Sequence, residues 1–278
     1  MSLKTILVCL TTPENAETLM SQAVPLAREH DAHLIGLHTI EALLVYPGIA
    51  MHIPGPAFAS FNESQKQEAA AIEAVFDKHT QNEIFQHEFR LVRAEAVSAA
   101  ERMVESARAA DLVIMAQEDR NADRHDQRQA QVQVIRESGR PVVIVPTGYD
   151  GPVIGETIIL GWSDTREAAR AAHDMLSLVA TKANVTVLRV GATQDEFEDS
   201  DGIDLAEKFA RHGLKTTLEH RDPNGSAIAD VLNQVAFEKG ADLIVTGAFG
   251  HSRAYDFVLG ATSYALLKNS NLPVMFSK

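Results

Sequence analysis

The segment ADLVI at residues 110–114 recurs as ADLIV at residues 241–245, a displacement of 131 positions (241 − 110). Three further apolar segments recur in the same order, and they pair 6–10 with 158–162, 33–38 with 184–189, and 140–145 with 272–276. Four segments repeated in one order indicate an internal duplication. The sequence therefore predicts two copies of one domain in tandem, joined by a glycine-containing linker at 147–152.

The two copies differ in length between their second and third shared segments. The first two pairs are displaced by 152 (158 − 6) and 151 (184 − 33) positions, and the last two by 131 (242 − 111) and 132 (273 − 141). The first half thus holds about 20 extra residues (151 − 131), which we place at about 41–62, where prolines and glycines interrupt regular structure. This apolar insertion would form either a lid over the site of the first half or a hydrophobic patch for a partner or second subunit.

The shared segments are short and rich in Val, Ile and Leu, which is typical of strands buried on both faces of a parallel sheet. Helical patterns lie between them at 15–29, 95–109, 165–179 and 227–238. Strands that alternate with helices predict an α/β fold of βαβ units, with helices on both faces of each sheet. The last strand of each half is strongly apolar, so we expect the halves to dock through 142–145 and 274–276 about a pseudo-twofold axis.

The composition narrows the function classes. The 278 residues carry a formal net charge of −13, and an acidic surface repels nucleic acid and anionic membranes, so neither is expected as a main partner. The single cysteine, Cys9, lies in an apolar run, which favours a buried thiol in a reducing compartment. No run reaches the length of a signal peptide or membrane span, and the sequence therefore predicts a cytoplasmic protein.

The second half contains a glycine pattern that could bind an anion. Its strand at 242–246 runs into Gly247 and Gly250, and Gly260 follows after nine intervening residues, just before a helical run. Ligands of open parallel sheets bind beyond the carboxyl ends of the strands. Glycine lets backbone N–H groups approach a phosphate, and a helix N-terminus adds positive potential. On spacing alone, glycines that only form a tight turn are an equal alternative, and the pattern is neither a P-loop nor a dinucleotide fingerprint.

The stretch 241–267 resembles the signature end of a universal stress protein domain. The phosphate motif of that family is Gly, two residues, Gly, nine residues, Gly, then Ser or Thr, and Gly247, Gly250 and Gly260 match it. The resemblance implies two tandem Rossmann-like domains of the adenine nucleotide alpha hydrolase-like type, at 1–147 and 155–278, each with a parallel five-stranded sheet. It also implies ATP or another adenine nucleotide as the ligand, with Mg²⁺ only where ATP is bound.

The site implied in the second half comprises Trp162, Ser163, Val190, Gly247, Gly250, His251, Gly260, Ala261 and Thr262. Two of these depart from the family pattern. Ser163 stands where nucleotide-binding members carry Asp, and Ala261 stands where they carry Ser or Thr. The loss of a hydrogen bond to a charged group costs about 1.5–3 kcal/mol, so these departures would weaken binding without removing the backbone donors. Trp162 fits either an adenine pocket or the core.

The first half lacks the glycines altogether. Glu118 and Asp119 occupy the positions where phosphates would lie, and like charges repel. We therefore expect this half to be a degenerate domain that has lost the phosphate site and is structural or binds something else. Its seven histidines are scattered, so we expect no metal site.

Three functions follow in order of preference. The first is a tandem universal stress protein with a regulatory or protective role that binds an adenine nucleotide in the second half. The second is an interaction or scaffold protein whose sites are both vestigial. The third is a slow ATPase, which ranks last because no base or water-positioning group lies beside the loop, so we expect no catalytic residue. We expect a pseudo-dimer within the chain, and a homodimer of the whole chain stays open.

Overall fold

The two halves form one continuous sheet, in which the strands of one half run antiparallel to those of the other half. The computed structural model describes residues 3–41, 55–94, 98–118, 127–179, 182–191, 201–250 and 259–278. In the first half the strands are β1 (Thr5–Cys9), β2 (His33–Glu41), β3 (His87–Ala94), β4 (Leu112–Ala116) and β5 (Val142–Val145). The helices of this half are α1 (Pro13–His30), α2 (Gly55–Thr80), α3 (Ala99–Ala107) and α4 (Gln127–Glu137).

The second half repeats this order of elements. Its strands are β6 (Thr157–Trp162), β7 (Asn184–Val190), β8 (Lys215–Arg221), β9 (Leu243–Gly247) and β10 (Val274–Ser277). Its helices are α5 (Arg166–Asp174), followed by the 3₁₀ turn Met175–Ser177, then α6 (Asp201–Arg211), α7 (Ile228–Lys239) and α8 (Ala261–Asn269). Within the described ranges, no helix combines the length and the apolar character needed to cross a bilayer.

The strand order is β3-β2-β1-β4-β5-β10-β9-β6-β7-β8, so the second half repeats the order of the first half in reverse across the sheet. All strand pairs within a half are parallel, which confirms the predicted α/β fold with a parallel five-stranded sheet in each half. The halves meet at an antiparallel pairing of β5 with β10, in which Met275 lies opposite Val143. This pairing confirms the expectation that the last strands dock the halves as a pseudo-dimer.

Each face of the sheet is covered by helices of both halves. Ile6 and Ile158 belong to a buried cluster with residues of α1, α2, α5 and α6, whereas Leu7 and Ile159 belong to a second cluster with residues of α3, α4, α7 and α8. Successive strand residues thus face opposite sides, and both sides are apolar. Cys9 belongs to the second cluster, and burial raises the pKa of its thiol to about 12.

Two helices are shorter than their sequence patterns, because a polar cap begins α3 later and α5 ends early at a 3₁₀ turn. Ser98 and Glu101 form a capping box at the start of α3, whereas the pattern began at residue 95. Thr165 caps α5 by accepting a hydrogen bond from the Ala168 N–H. The last turn of the pattern at 165–179 is a 3₁₀ turn rather than α-helix.

The halves differ most in the connection from the second to the third strand. This connection contains α2, of 26 residues, in the first half and α6, of 11 residues, in the second. Residues 55–62 of the expected insertion form the first turns of α2. The remainder of the insertion after Glu41 lies outside the described residues, so the lid and the partner patch both remain hypotheses.

An aspartate before the fourth strand of each half fixes the start of its first strand. Asp242 is buried, and its carboxylate accepts hydrogen bonds from the N–H groups of Gly155, Glu156 and Thr157 at 2.7, 3.0 and 2.7 Å. The equivalent Asp111 is exposed and accepts from the N–H groups of Lys4 and Thr5. The same aspartate contact therefore occurs in both halves, buried in the second half and exposed to solvent in the first.

This difference predicts unequal costs for the same substitution. Asp242→Asn replaces one acceptor oxygen with an NH2 group, which cannot accept, and so leaves at least one backbone N–H group without its partner; we expect a loss of about 2–3 kcal/mol in the free energy of unfolding. Asp111→Asn should cost less than about 1 kcal/mol, since water can pair its partners. Urea denaturation of both variants measures the difference, and equal losses would contradict this account.

Candidate functional site

A cavity of about 150 Å³ lies at the carboxyl ends of β6 and β9 in the second half. The start of α5, the loop after β9 and the start of α8 border it. Its lining comprises Gly161, Trp162, Ser163, Thr165, Glu167, Leu188, Val190, Ile228, Leu232, Thr246, Gly247, Phe249, Gly250, Gly260, Thr262 and Ser263. This is the location at which open parallel sheets bind ligands.

The structure brings most of the residues singled out in the sequence to this cavity. The lining includes Trp162, Ser163, Val190, Gly247, Gly250, Gly260 and Thr262. Ala261 begins α8 as an exposed residue and is not part of the lining. His251 lies outside the described residues. Whether the assembled residues bind a nucleotide stays a prediction.

Hydroxyl groups occupy the end of β6, where the family pattern has a carboxylate. Ser163 Oγ lies 3.2 Å from Thr165 Oγ1, and Thr165 also accepts the capping bond of α5. Asp164, which follows Ser163, is exposed and is not part of the lining. The residues at the end of β6 therefore contribute neutral hydrogen-bond donors and acceptors to the cavity.

Gly247 is required by the packing of α5 on the end of β9. A Cβ added at Gly247 would lie 2.5 Å from the backbone carbonyl carbon of Glu167 and 2.7 Å from the nitrogen of Ala168. Any side chain at this position would collide with the first turn of α5. The glycine is thus explained by close packing of the backbone, independently of any ligand.

The turn after β9 obtains its left-handed residue from Phe249 rather than from a glycine. Phe249 has φ 68° and is buried, and the ammonium group of Lys278 lies 5.0 Å from its ring centroid. A bulky residue in this conformation is uncommon and costs energy, and such residues cluster at functional sites. Gly250 follows it, and a Cβ added there would lie 3.1 Å from Glu167 Oε2.

Sequence reasoning missed Glu167, a buried carboxylate in the lining. Glu167 is 5% exposed, and its Oε1 atom accepts a hydrogen bond from Arg166 Nε at 2.5 Å. The helical pattern of the sequence does indicate that Glu167 is buried. Glu167 falls on the same helical stripe as Ala168, Ala171 and Ala172, all of which are buried in α5. A charged residue on a buried stripe is a candidate functional residue.

The N-terminus of α8 supplies the positive side of the cavity. Gly260 is its N-cap and makes no side-chain capping hydrogen bond, so the first N–H groups of α8 receive no side-chain cap from it. Thr262 adds a hydroxyl to the lining, and Ser263 Oγ donates to the Gly247 carbonyl oxygen at 3.3 Å. The first N–H groups of a helix and its dipole favour an anion or an electronegative atom.

The opposite wall is apolar. It comprises Trp162 from β6, Leu188 and Val190 from β7, and Ile228 and Leu232 from α7. Trp162 packs against the core and also lines the cavity, whereas its expected contact with an adenine ring stays a prediction. An apolar wall opposite a few polar groups is typical of sites that bind small molecules.

The corresponding loop of the first half contacts the second half instead. Gln117 Nε2 donates to the carbonyl oxygens of Leu267 and Ser270, at the C-terminal end of α8. Arg128 donates to the Tyr264 hydroxyl, and its guanidinium lies 3.4 Å from Glu118. Asp119 lies outside the described residues. Glu118 thus contacts Arg128 of its own half, and Arg128 in turn contacts Tyr264 of the second half. Within the described ranges no cluster of His, Cys, Asp and Glu side chains could hold a metal ion.

Comparisons with known proteins identify relatives over the whole chain. The model of the universal stress protein family matches residues 2–146 and, a second time, residues 156–278. A universal stress protein from Archaeoglobus fulgidus DSM 4304 is 14% identical with a TM-score of 0.73, and the alignment covers 98% of this chain and 96% of that chain. Among curated proteins the sequence comparison found no match.

Two further solved structures share the fold. A candidate universal stress protein from Pseudomonas aeruginosa UCBPP-PA14 is 16% identical with a TM-score of 0.61, and the alignment covers 99% of this chain and 93% of that chain. The cytoplasmic domain of a prokaryotic cation chloride cotransporter is 12% identical with a TM-score of 0.50, covering 98% and 94%. At such identities the likeness concerns the fold alone.

The packing of α5 predicts that the two loop glycines tolerate a methyl group differently. Gly247→Ala should reduce the free energy of unfolding by about 1–3 kcal/mol, because the clash involves backbone atoms that cannot move aside. Gly250→Ala meets the end of a flexible side chain and should cost less than about 1 kcal/mol. Urea denaturation measures both, and a larger loss for Gly250→Ala would refute the packing role of Gly247.

Proposed function

The chain belongs to the universal stress protein family, and from this premise we propose that its second half binds an adenine nucleotide in the cavity at the ends of β6 and β9. The protein would then have a regulatory or protective role rather than a metabolic one. The observation that carries the proposal is the convergence of the loop glycines, the start of α8 and an apolar wall on one cavity.

The chemistry of the lining supports an adenine ligand. The adenine ring would pack on the apolar wall, which includes Trp162 and Val190. The phosphate side would face the Gly250 backbone and the uncapped start of α8, with the Thr262 hydroxyl beside it. ATP is one member of this ligand class, and Mg²⁺ would enter only with ATP.

A specific observation also favours an interaction protein with vestigial sites as the second candidate. The loop of the first half uses Gln117 in the contact with α8, and the cavity of the second half holds the buried carboxylate of Glu167. In that case the sheet and its helices would provide a binding surface for a partner, and neither half would bind a nucleotide. Calorimetry separates the two candidates directly.

Isothermal titration of the purified protein with ATP, ADP and AMP tests the proposal. We expect saturable binding of at least one nucleotide with a dissociation constant below about 1 mM. Ile228→Trp should abolish this binding, because the larger ring would fill the cavity that Ile228 lines.

Ile203→Trp is the matched control. Ile203 lies on α6 and is 48% exposed, compared with 39% for Ile228, and it is not part of the lining. This variant should bind like the parent protein. The absence of any heat at millimolar nucleotide, or equal loss in both tryptophan variants, would reject binding in this cavity.

A further inference from the structure

Glu167 is the one charged residue among the described residues that line the cavity. The residue is 5% exposed, and its backbone packs against Gly247. Its Oε2 atom would lie 3.1 Å from a Cβ built on Gly250. The carboxylate therefore lies beside Gly250, whose backbone would face a phosphate under the proposed function.

The ion pair of Glu167 does not remove its charge from the cavity. Arg166 contacts Oε1, the oxygen other than the one nearest Gly250, and the side chain of Arg166 is 79% exposed. Its positive charge is therefore screened by solvent, whereas the charge of the buried carboxylate is screened less. No lysine, arginine or histidine lies in the described part of the lining. The charge that the described lining presents beside Gly250 is thus the negative charge of Glu167.

We propose that Glu167 is a charge-selectivity residue, which weakens the binding of an adenine ligand as its uncompensated phosphate charge increases. This inference rests on the proposed function and names the members of the ligand class that the site prefers. Adenosine and AMP bind more tightly than free ATP, and a divalent cation on the phosphates restores part of the affinity for ATP by cancelling charge.

A purely structural role for Glu167 predicts a different effect of its removal on ligand binding. A carboxylate in the first turn of α5 interacts favourably with the helix dipole, whatever the ligand. Its removal would then change the binding of adenosine, AMP and ATP by a common factor. A selectivity role changes the ratio between these ligands, so the ratio is the quantity to measure.

The test is calorimetric titration of the parent protein, Glu167→Gln and the matched control Glu207→Gln with adenosine, AMP and ATP, each in EDTA and in Mg²⁺. Glu207 lies on α6 and is exposed, and it is not part of the lining. In EDTA the parent protein should bind ATP at least about fivefold more weakly than adenosine.

Glu167→Gln should raise the affinity for free ATP at least about fivefold and leave that for adenosine unchanged, whereas Glu207→Gln should change neither. Thermal melting establishes that the variants are folded. If Glu167→Gln does not fold, the titrations of the parent protein decide. The inference is overturned if the parent protein binds free ATP as tightly as adenosine, or if Mg²⁺ does not increase its affinity for ATP.

The outcomes separate the two proposals. If adenosine or AMP binds and the ratio to ATP is the same in Glu167→Gln as in the parent protein, the selectivity role is wrong and the proposed function stands. If no adenine ligand binds to any of the proteins, the proposed function fails, and the inference that rests on it fails too.

Discussion

The contact between Gly247 and the first turn of α5 is the constraint on which the rest of the site depends. Because Gly247 has no side chain, the backbone of Glu167 and Ala168 can lie directly on the end of β9. This packing fixes where α5 begins and thereby carries Thr165 and Glu167 into the cavity lining. The Gly247 carbonyl oxygen also accepts the hydrogen bond of Ser263, which ties the start of α8 to the same point. Gly247 thus contacts residues in the first turns of two helices.

The two copies of the domain use the same loop position for different purposes. In the second half the residues after β9 border the cavity, whereas in the first half Gln117 after β4 donates to carbonyl groups at the C-terminal end of α8. Helix α8 is therefore held at its start by its own half and at its end by the other half. The antiparallel pairing of β5 with β10 brings these parts together.

The sequence predicted the parts of the fold that are buried on both sides and missed those at the outer ends of the sheet. The inner strands are continuous apolar runs because both of their faces contact helices, so they stand out and reveal the duplication. Strands β3 and β8 lie at the outer ends of the sheet, are half exposed and carry polar residues throughout, so no buried-strand pattern marks them. The glycine loop was recognised by its spacing and by resemblance. Glu167 was missed because its place in the cavity depends on how α5 packs against β9, which is a tertiary contact.

Two helix N-termini meet at the cavity, and their positive ends are not equally available to a ligand. Each helix end is equivalent to about half a positive charge. At α5 this potential already stabilises the carboxylate of Glu167, and the first hydrogen bond is provided by Thr165. At α8 the N-cap is Gly260, which makes no side-chain hydrogen bond. If the cavity binds an adenine ligand, about half a positive charge at α8 is set against the carboxylate of Glu167, and we expect the site to favour a polar or weakly charged group over several phosphates. In that case one buried side chain changes the charge preference of a fold that supplies the geometry of an anion site.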